Sequence, residues 1–309
     1  MTHSNPRSDT RTGLIAALIA YCIWGMMPLY WRGLSEAGSV EILCHRIVWS
    51  LFFILLALAV QGKIPALART LKGLARDLPQ AGFIFGATSF ASANWLINIV
   101  GVNTGRVVEL GIGMFLTPLA TVALGMIFFR ERLEKTRVAA VALAAAGVVI
   151  MIWNLGRIPW IALGVSSTWA IYGAFKKKVT IDPWSSTAAE HMMMFPFALA
   201  ALLWLAASGT GHFLAGGIRT LDLMLLGTGV MTSIPMIAFS LAAQKLPLIY
   251  LGFVQYLNPI LTTLLGVLWF REPIGEAELV PLAFIWAGIA LYLAPSLLRS
   301  KERKQESIR

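Results

Sequence analysis

The sequence predicts an all-α integral membrane protein of ten transmembrane helices, arranged as two inverted five-helix repeats. Three observations carry that prediction. Hydrophobic residues make up 58% of the chain and charged residues 13%, with mean hydropathy +0.74, whereas a soluble domain carries about 25% charged residues. Ten apolar stretches, each near the roughly 20 residues needed to cross hydrocarbon, are separated by clusters of charge, proline or glycine. Finally, FLTPLATVALGMIFFRE at 115–131 returns as YLNPILTTLLGVLWFRE at 256–272, with eight of seventeen positions identical at an offset of 141.

The elements follow in order. The first span, 13–33, comes after a polar start containing Arg7 and Arg11. It is long enough to cross and lacks a short apolar core with a cleavage site, so it reads as a retained span rather than a signal peptide. Tyr21, Trp24, Pro28 and Trp31 fall on one helical stripe within it, and the proline frees backbone groups. The second span, 41–60, opens with Glu41, His45 and Arg46. The third, 79–101, places Asn94, Asn98 and Gly101 on one face beside Trp95. Arg106 and Glu109 introduce the fourth, 107–129, which continues through Gly111, Gly113 and Pro118. The fifth is 136–153. Trp169 and Tyr172 share a face of the sixth, 158–175. The seventh, 185–207, has Glu190 and His191 near its start, and the eighth, 221–243, has Ser233 and Pro235. Gln255, Asn258 and Thr262 align on the ninth, 247–270, which Pro259 interrupts as Pro118 interrupts its partner. The tenth is 277–298. Backbone polar groups have no partners in hydrocarbon, so these segments are helices.

The two copies of the repeat are the fourth and ninth spans. Five crossings separate them, so they traverse the membrane in opposite directions. This divides the chain into halves at 1–153 and 154–309, with a short tail at 1–12 and a basic one at 299–309. The bases agree with this division. With both termini in the cytoplasm, nineteen Lys and Arg fall on the inner side and five on the outer: Arg32, Arg106, Arg157, Arg219 and Arg271. That asymmetry is the signature of a cytoplasmic face. Arg130-Glu131 then ends up inside and Arg271-Glu272 outside.

Polar groups inside a membrane are costly and mark either helix pairing or a pathway. Asn94 and Asn98 are compatible with a cavity wall or with interhelical hydrogen bonds. The aromatic stripe of the first span and the Trp169–Tyr172 pair are compatible with packing or with solute contact. Glu109, three residues after Arg106, reads as an interfacial ion pair or as a gate or proton-coupling acid. Glu41 and His45 carry the same two readings, and Arg46 reads as a side chain that snorkels to the outer interface. Gly111 and Gly113 permit close backbone approach.

Other functions are disfavoured. The net charge of +10 resides in loops and tails, where it sets orientation rather than nucleic-acid binding. Cys22 and Cys44 lie in apolar spans and imply neither a disulfide framework nor a metal site. The chain has no HExxH, GxSxG or Walker sequence, so no enzymatic chemistry, cofactor or internal ATPase is expected.

Several stretches resemble one family. AALIAYCIWGMMPLYWRGL followed by EILCHRIVWSLFF is similar to the start of RarD-type permeases, in the EamA group of the drug/metabolite transporter superfamily. ANWLINIVGVNTGRVVELGIG, ALGVSSTWAIYGAFKKK and LGFVQYLNPILTTLLGVLWFREP resemble that family's later spans, so the likeness runs from about residue 13 to 298. It implies a ten-helix carrier of the bacterial inner membrane that moves a small organic solute or drug. Family members are often labelled as linked to chloramphenicol sensitivity. One departure stands out. Where the family tends to have Gly-Tyr-Phe-x-Asn-Pro, this chain has Gly113-Met114-Phe115-Leu116-Thr117-Pro118, a more apolar and adaptable surface.

The functional expectation is a secondary transporter with alternating access, monomeric or homodimeric in the lipid bilayer. Its solute is small and amphipathic or zwitterionic, since no mid-span Asp or Lys matches a strongly charged one. Tyr21, Trp24, Trp169 and Tyr172 would enclose it, and Asn94, Asn98, Gln255 and Asn258 would orient it. Met114 and Thr117 join them as positions where the two copies differ just before each proline. Discontinuous helices at matching places in two halves point to such a site. The alternative of a non-transporting membrane scaffold has no need of two inverted halves with aligned prolines.

Overall fold

The computed structural model describes residues 6–104, 106–133, 135–269, 271 and 279–291. Among these residues every regular element is a helix: α1 (Pro6–Arg32), α2 (Ser39–Val60), α3 (Ile64–Leu74), α4 (Leu78–Asn103), α5 (Val107–Phe129), α6 (Lys135–Leu155), α7 (Trp160–Lys178), α8 (Pro183–Ala207), α9 (Thr220–Lys245), α10 (Leu248–Gln255), α11 (Leu257–Leu268) and α12 (Leu279–Leu291). Eight described segments, counting α10 and α11 together, are long and apolar enough to cross a membrane. The chain is a multi-pass helical membrane protein. The expected tenth span is described only over 279–291; its remainder, Glu272 and the basic tail 299–309 lie outside the described residues.

Local sequence explains several helix ends. Asp182 caps α8 by accepting from the Ser185 amide at 3.0 Å, and Pro183 occupies the first helical position, where its missing N–H is no loss. Asp222, in the first turn of α9, accepts from the Arg219 amide at 2.7 Å. α5 ends in a left-handed residue, Arg130 with φ 53°, and its counterpart 141 positions on, Arg271, has φ 55°.

α7 is not among the eight, because Ser166, Ser167, Thr168 and Lys176–Lys178 dilute its apolar content. It packs against α4, α5 and α9, so its hydroxyls find helix partners rather than lipid. α3 is a helix where the sequence reading placed only a basic loop. Ile64, Leu67, Leu71 and Leu74 recur at helical spacing, and Leu67 is buried with Ile54, Leu58 and Ala188. Its charges occupy the opposite face.

The expected interruption of both proline helices is corrected in one of them. α5 runs unbroken through Pro118, while α10 and α11 meet at Tyr256, whose amide turns to Phe253 O at 3.3 Å. In the continuous copy Thr117 Oγ1 donates to Gly113 O at 2.7 Å and Thr121 Oγ1 lies 3.0 Å from Thr117 O. The step at Tyr256 is shallow, with φ −60° and ψ −20°.

The packing is reciprocal. α1 lies against α9 and α11, while α7 lies against α4 and α5, and α5 also packs on α10. Glycines allow close crossings beside the repeat: a Cβ at Gly113 would stand 3.1 Å from Ala162 Cα, and one at Gly252 would stand 2.9 Å from Pro118 O. Gly111, expected to play the same part, faces open space.

Polar contacts close the bundle at the end where α9 turns into α10. Glu131 accepts from the amides of Leu248 and Ile249, both at 2.9 Å, and pairs with Lys177 at 3.3 Å. Lys177 also donates to Leu246 O at 2.6 Å, and Asp9 pairs with Lys245. Lys176, counted from sequence among the loop bases, is instead fully buried. It bonds Glu190 and Ser186, and Glu190 also accepts from the Tyr172 hydroxyl at 3.2 Å. The sequence could not pair Lys176 with Glu190, because they meet only through the turn that joins α7 to α8.

Candidate functional site

Helices α1, α2, α4, α5, α7 and the α10–α11 pair surround a cavity of about 550 Å³, a size that takes a small organic molecule. It extends from mid-bundle, at Tyr21 and Trp169, to the end where α1 gives way to α2, at Trp31 and Ser39.

Its floor is aromatic. Trp24 meets Tyr21 and Trp169 edge-on, each at 5.3 Å between ring centroids. Beneath them Trp169 contacts Tyr172 at 5.0 Å, and Phe239 stacks on Tyr172 at 5.4 Å. These contacts join α1, α7 and α9 in one layer of offset and edge-to-face rings, the arrangement aromatic quadrupoles favour. The Tyr21 hydroxyl faces Gln255 and Trp169 without completing a hydrogen bond. Gln255 Oε1 lies 2.9 Å from Thr121 Oγ1, which also approaches Thr117 O. One hydroxyl proton cannot serve both, so an amide turned the other way pairs equally well. Either way one atom of the Gln255 amide is left towards Tyr21.

The walls mix amides with apolar side chains. Asn94 Nδ2 donates to Val165 O at 2.8 Å and Thr168 Oγ1 at 3.0 Å. That amide therefore joins α4 to α7, as the helix-pairing reading expects. Asn98 Nδ2 donates to Asn94 O at 2.8 Å, while its oxygen takes no hydrogen bond among the described residues. Met114 and Thr117 line the α5 wall, and Asn258, Pro259 and Thr262 line the α11 wall.

All the residues singled out from sequence for solute contact line this cavity except Tyr172, which lies under the floor. The three proposed gate or coupling residues lie outside the lining. Glu109 is buried, accepts from the Ile161 amide at 3.2 Å and pairs with Arg157 at 3.0 Å. Glu41 ties down the α8–α9 loop by accepting from the His212 and Phe213 amides at 2.6 and 3.1 Å and from His212 Nδ1 at 2.9 Å. His45 accepts from Trp49 Nε1 at 2.9 Å and packs on Phe213. Ser233 is likewise absent from the lining, since its hydroxyl bonds Gly229 O at 2.6 Å.

The second span supplies a wall that sequence reasoning missed. Ser39, Ile42, Leu43 and Arg46 all face the cavity. Arg46 does not snorkel outward. Its guanidinium lies over the rings of Trp31 and Trp95, at 5.0 and 5.4 Å, and its Nε donates to Thr232 Oγ1 at 3.1 Å. The available signal was an arginine seven residues into an apolar helix, about 10 Å from its start.

Comparison with known proteins gives this architecture a family. The model of the EamA-like transporter family matches residues 11–153 and 157–294. The chain belongs to the EamA-like transporter family. Protein RarD of Salmonella typhi is 35% identical over 296 residues, covering 96% of this chain and 99% of that protein. Protein RarD of Streptomyces exfoliatus is 37% identical, covering 96% and 93%. A solved crystal structure that is 17% identical aligns with TM-score 0.66 over 93% of this chain and 97% of its own, which shows a shared fold. The RarD-type, EamA character read from the sequence stretches therefore holds over nearly the whole chain, and the cavity belongs to a membrane transporter.

Proposed function

We propose that this EamA-type protein is a secondary transporter that carries a small organic solute across the bacterial inner membrane by alternating access. The observation that carries the proposal is the mid-bundle cavity, walled by α1, α2, α4 and α5 on one side of the chain and by α7 and α10–α11 on the other. In this reading ten spans form two inverted repeats, 1–153 and 154–309, with both termini cytoplasmic. Support comes from the separate family matches at 11–153 and 157–294 and from the equal φ values of Arg130 and Arg271. The reciprocal packing of α1 on α9 and α11, and of α7 on α4 and α5, fits the same exchange.

With that orientation the cavity faces outward. The aromatic floor and the contacts of Glu131, Lys177, Asp9 and Lys245 form the inner barrier, which opens in the other state. Tyr21, Trp24, Asn98, Met114, Thr117, Trp169, Gln255 and Asn258 contact the solute. Asn94 and Tyr172 hold their neighbours in place. Glu41 and His45 act as gate residues through the α8–α9 loop, and Glu109 braces α5 against α7. Binding energy shared between the two orientations of the cavity lets solute exchange sides without a covalent step.

Reconstitution of purified protein in liposomes tests this, with a panel of amino acids, amines, organic acids and drugs. Saturable flux of at least one solute is expected, and its absence for all of them, with and without a pH gradient, contradicts the proposal. Cysteine labelling beside Arg130 and Arg271 tests the inversion, which requires them on opposite faces.

A further inference from the structure

We propose that Arg46 is the anchor for an anionic group of the solute, and that the cargo is a carboxylate on an apolar, largely aromatic body. This rests on the transport reading of the cavity and names its substrate class.

Among the described residues that line the cavity, Arg46 alone carries a charge. No carboxylate among the described residues pairs with it. The described acids at that end of the bundle are otherwise engaged: Glu41 with His212 and Phe213, Asp222 with Leu214 and Arg219, Glu109 with Arg157 and Ile161, and Glu36 with Arg219. An ionisable side chain within a membrane helix normally has a partner or a task. Among the described residues, two tryptophan faces and one hydroxyl meet this one. Those interactions fix the guanidinium in place without neutralising it.

Geometry then selects the ligand. Thr232 occupies only Nε. Both terminal nitrogens make no hydrogen bond among the described residues, and neither is sealed from the cavity. A planar guanidinium with free terminal nitrogens matches the two oxygens of a carboxylate. No acid among the described residues lines the cavity to receive an ammonium, so a zwitterion or an amine finds no carboxylate there for its cation. Trp24, Trp169, Ile99 and Met114 line the remainder, which suits an apolar body. Of the expected amphipathic or zwitterionic solute, the amphipathic alternative is thereby kept and given a charge, because the expectation counted only mid-span Asp and Lys.

The test is equilibrium binding to the purified full-length protein in detergent, with three matched probes: indole-3-acetate, its neutral amide, and tryptamine. Wild type is expected to bind the carboxylate at least about tenfold more tightly than the amide, the usual weight of a charge-assisted pair. Arg46→Gln is expected to bring that ratio close to one while the protein stays monodisperse. If Arg46→Gln does not fold, Arg46→Lys keeps the charge but loses the fork, and is expected to reduce the ratio several-fold. Carboxylate binding no tighter than the amide in wild type, including no binding of either, overturns the proposal. So does an unchanged ratio in a folded Arg46 variant. Failure here is separable from failure of the transport reading. Carboxylate-selective binding without flux sinks transport and keeps Arg46, whereas saturable flux of neutral or cationic solutes without carboxylate preference does the reverse.

Discussion

Helices α5 and α10–α11 carry the same sequence motif and use its parts differently. At the shared positions the residues build the frame. Glu131 caps the start of α10, and Gly125 makes room for it, since a Cβ there would stand 2.8 Å from Glu131 Oε2 and 3.1 Å from Leu248 Cβ. Arg130 and Arg271 both turn the chain in the left-handed region. At two positions that differ, just before each proline, the residues face the cavity: Met114 opposite Gln255, and Thr117 opposite Asn258, beside the shared Pro118, Pro259 and Thr262. The lesson is a partial division of labour. The shared residues at the Arg-Glu end hold the frame, and the changed residues before each proline give the two cavity walls different chemistry.

That contrast can be broken at its shared side first, where the effect is largest. Glu131→Ala removes two amide acceptors and the partner of Lys177, and is expected to cost about 2–4 kcal/mol of stability. A fall in the thermal midpoint of the purified protein measures it, and an unchanged midpoint would remove Glu131 from the frame. Next comes the differing side. Gln255→Ala is expected to lower solute flux about tenfold, the scale of one lost polar contact to the solute, with a much smaller loss of midpoint than Glu131→Ala. Equal loss of stability in the two variants would erase the division.

The asparagines sharpen the contrast within one helix. Asn94→Ala removes the two bonds that tie α4 to the Val165 carbonyl and the Thr168 hydroxyl of α7, so about 1–2 kcal/mol of stability should be lost. Asn98→Ala should spare stability and alter flux, and the reverse order of effects would exchange their roles. The smallest expected change comes from making the copies alike. Met114→Gln with Thr117→Asn imports the second copy's residues into the first, and should cost under about 1 kcal/mol. Competition assays should then show a shift of preference towards more polar solutes.

Most of this architecture was legible in the sequence, for identifiable reasons. Span length and the breaks between apolar stretches are one-dimensional signals that located the helices other than α3, and the polar and aromatic residues within the spans gave much of the lining on α1, α4, α5, α7 and α10–α11 but none of the α2 wall. What escaped depended on tertiary partners. Arg46 looked like an interfacial anchor because Trp31, Trp95 and Thr232 come from three other helices. Lys176 looked like a loop base because Glu190 reaches it only after a turn. Pro118 was expected to interrupt α5, but the helix continues through it, since a proline costs one backbone hydrogen bond and need not break a helix packed on its neighbours. α3 was hidden by its own bases, although its leucines recur at helical spacing.

The central claim is that solute passes through this cavity. In a Cys22→Ser, Cys44→Ala background, Asn98→Cys places a single reactive thiol on the cavity wall. Proteoliposomes are loaded with a solute that wild type carries, and flux is measured before and after complete modification with a bulky maleimide. Flux is predicted to fall to the protein-free level after modification, with solute slowing the labelling. Undiminished flux in fully labelled protein would contradict the account.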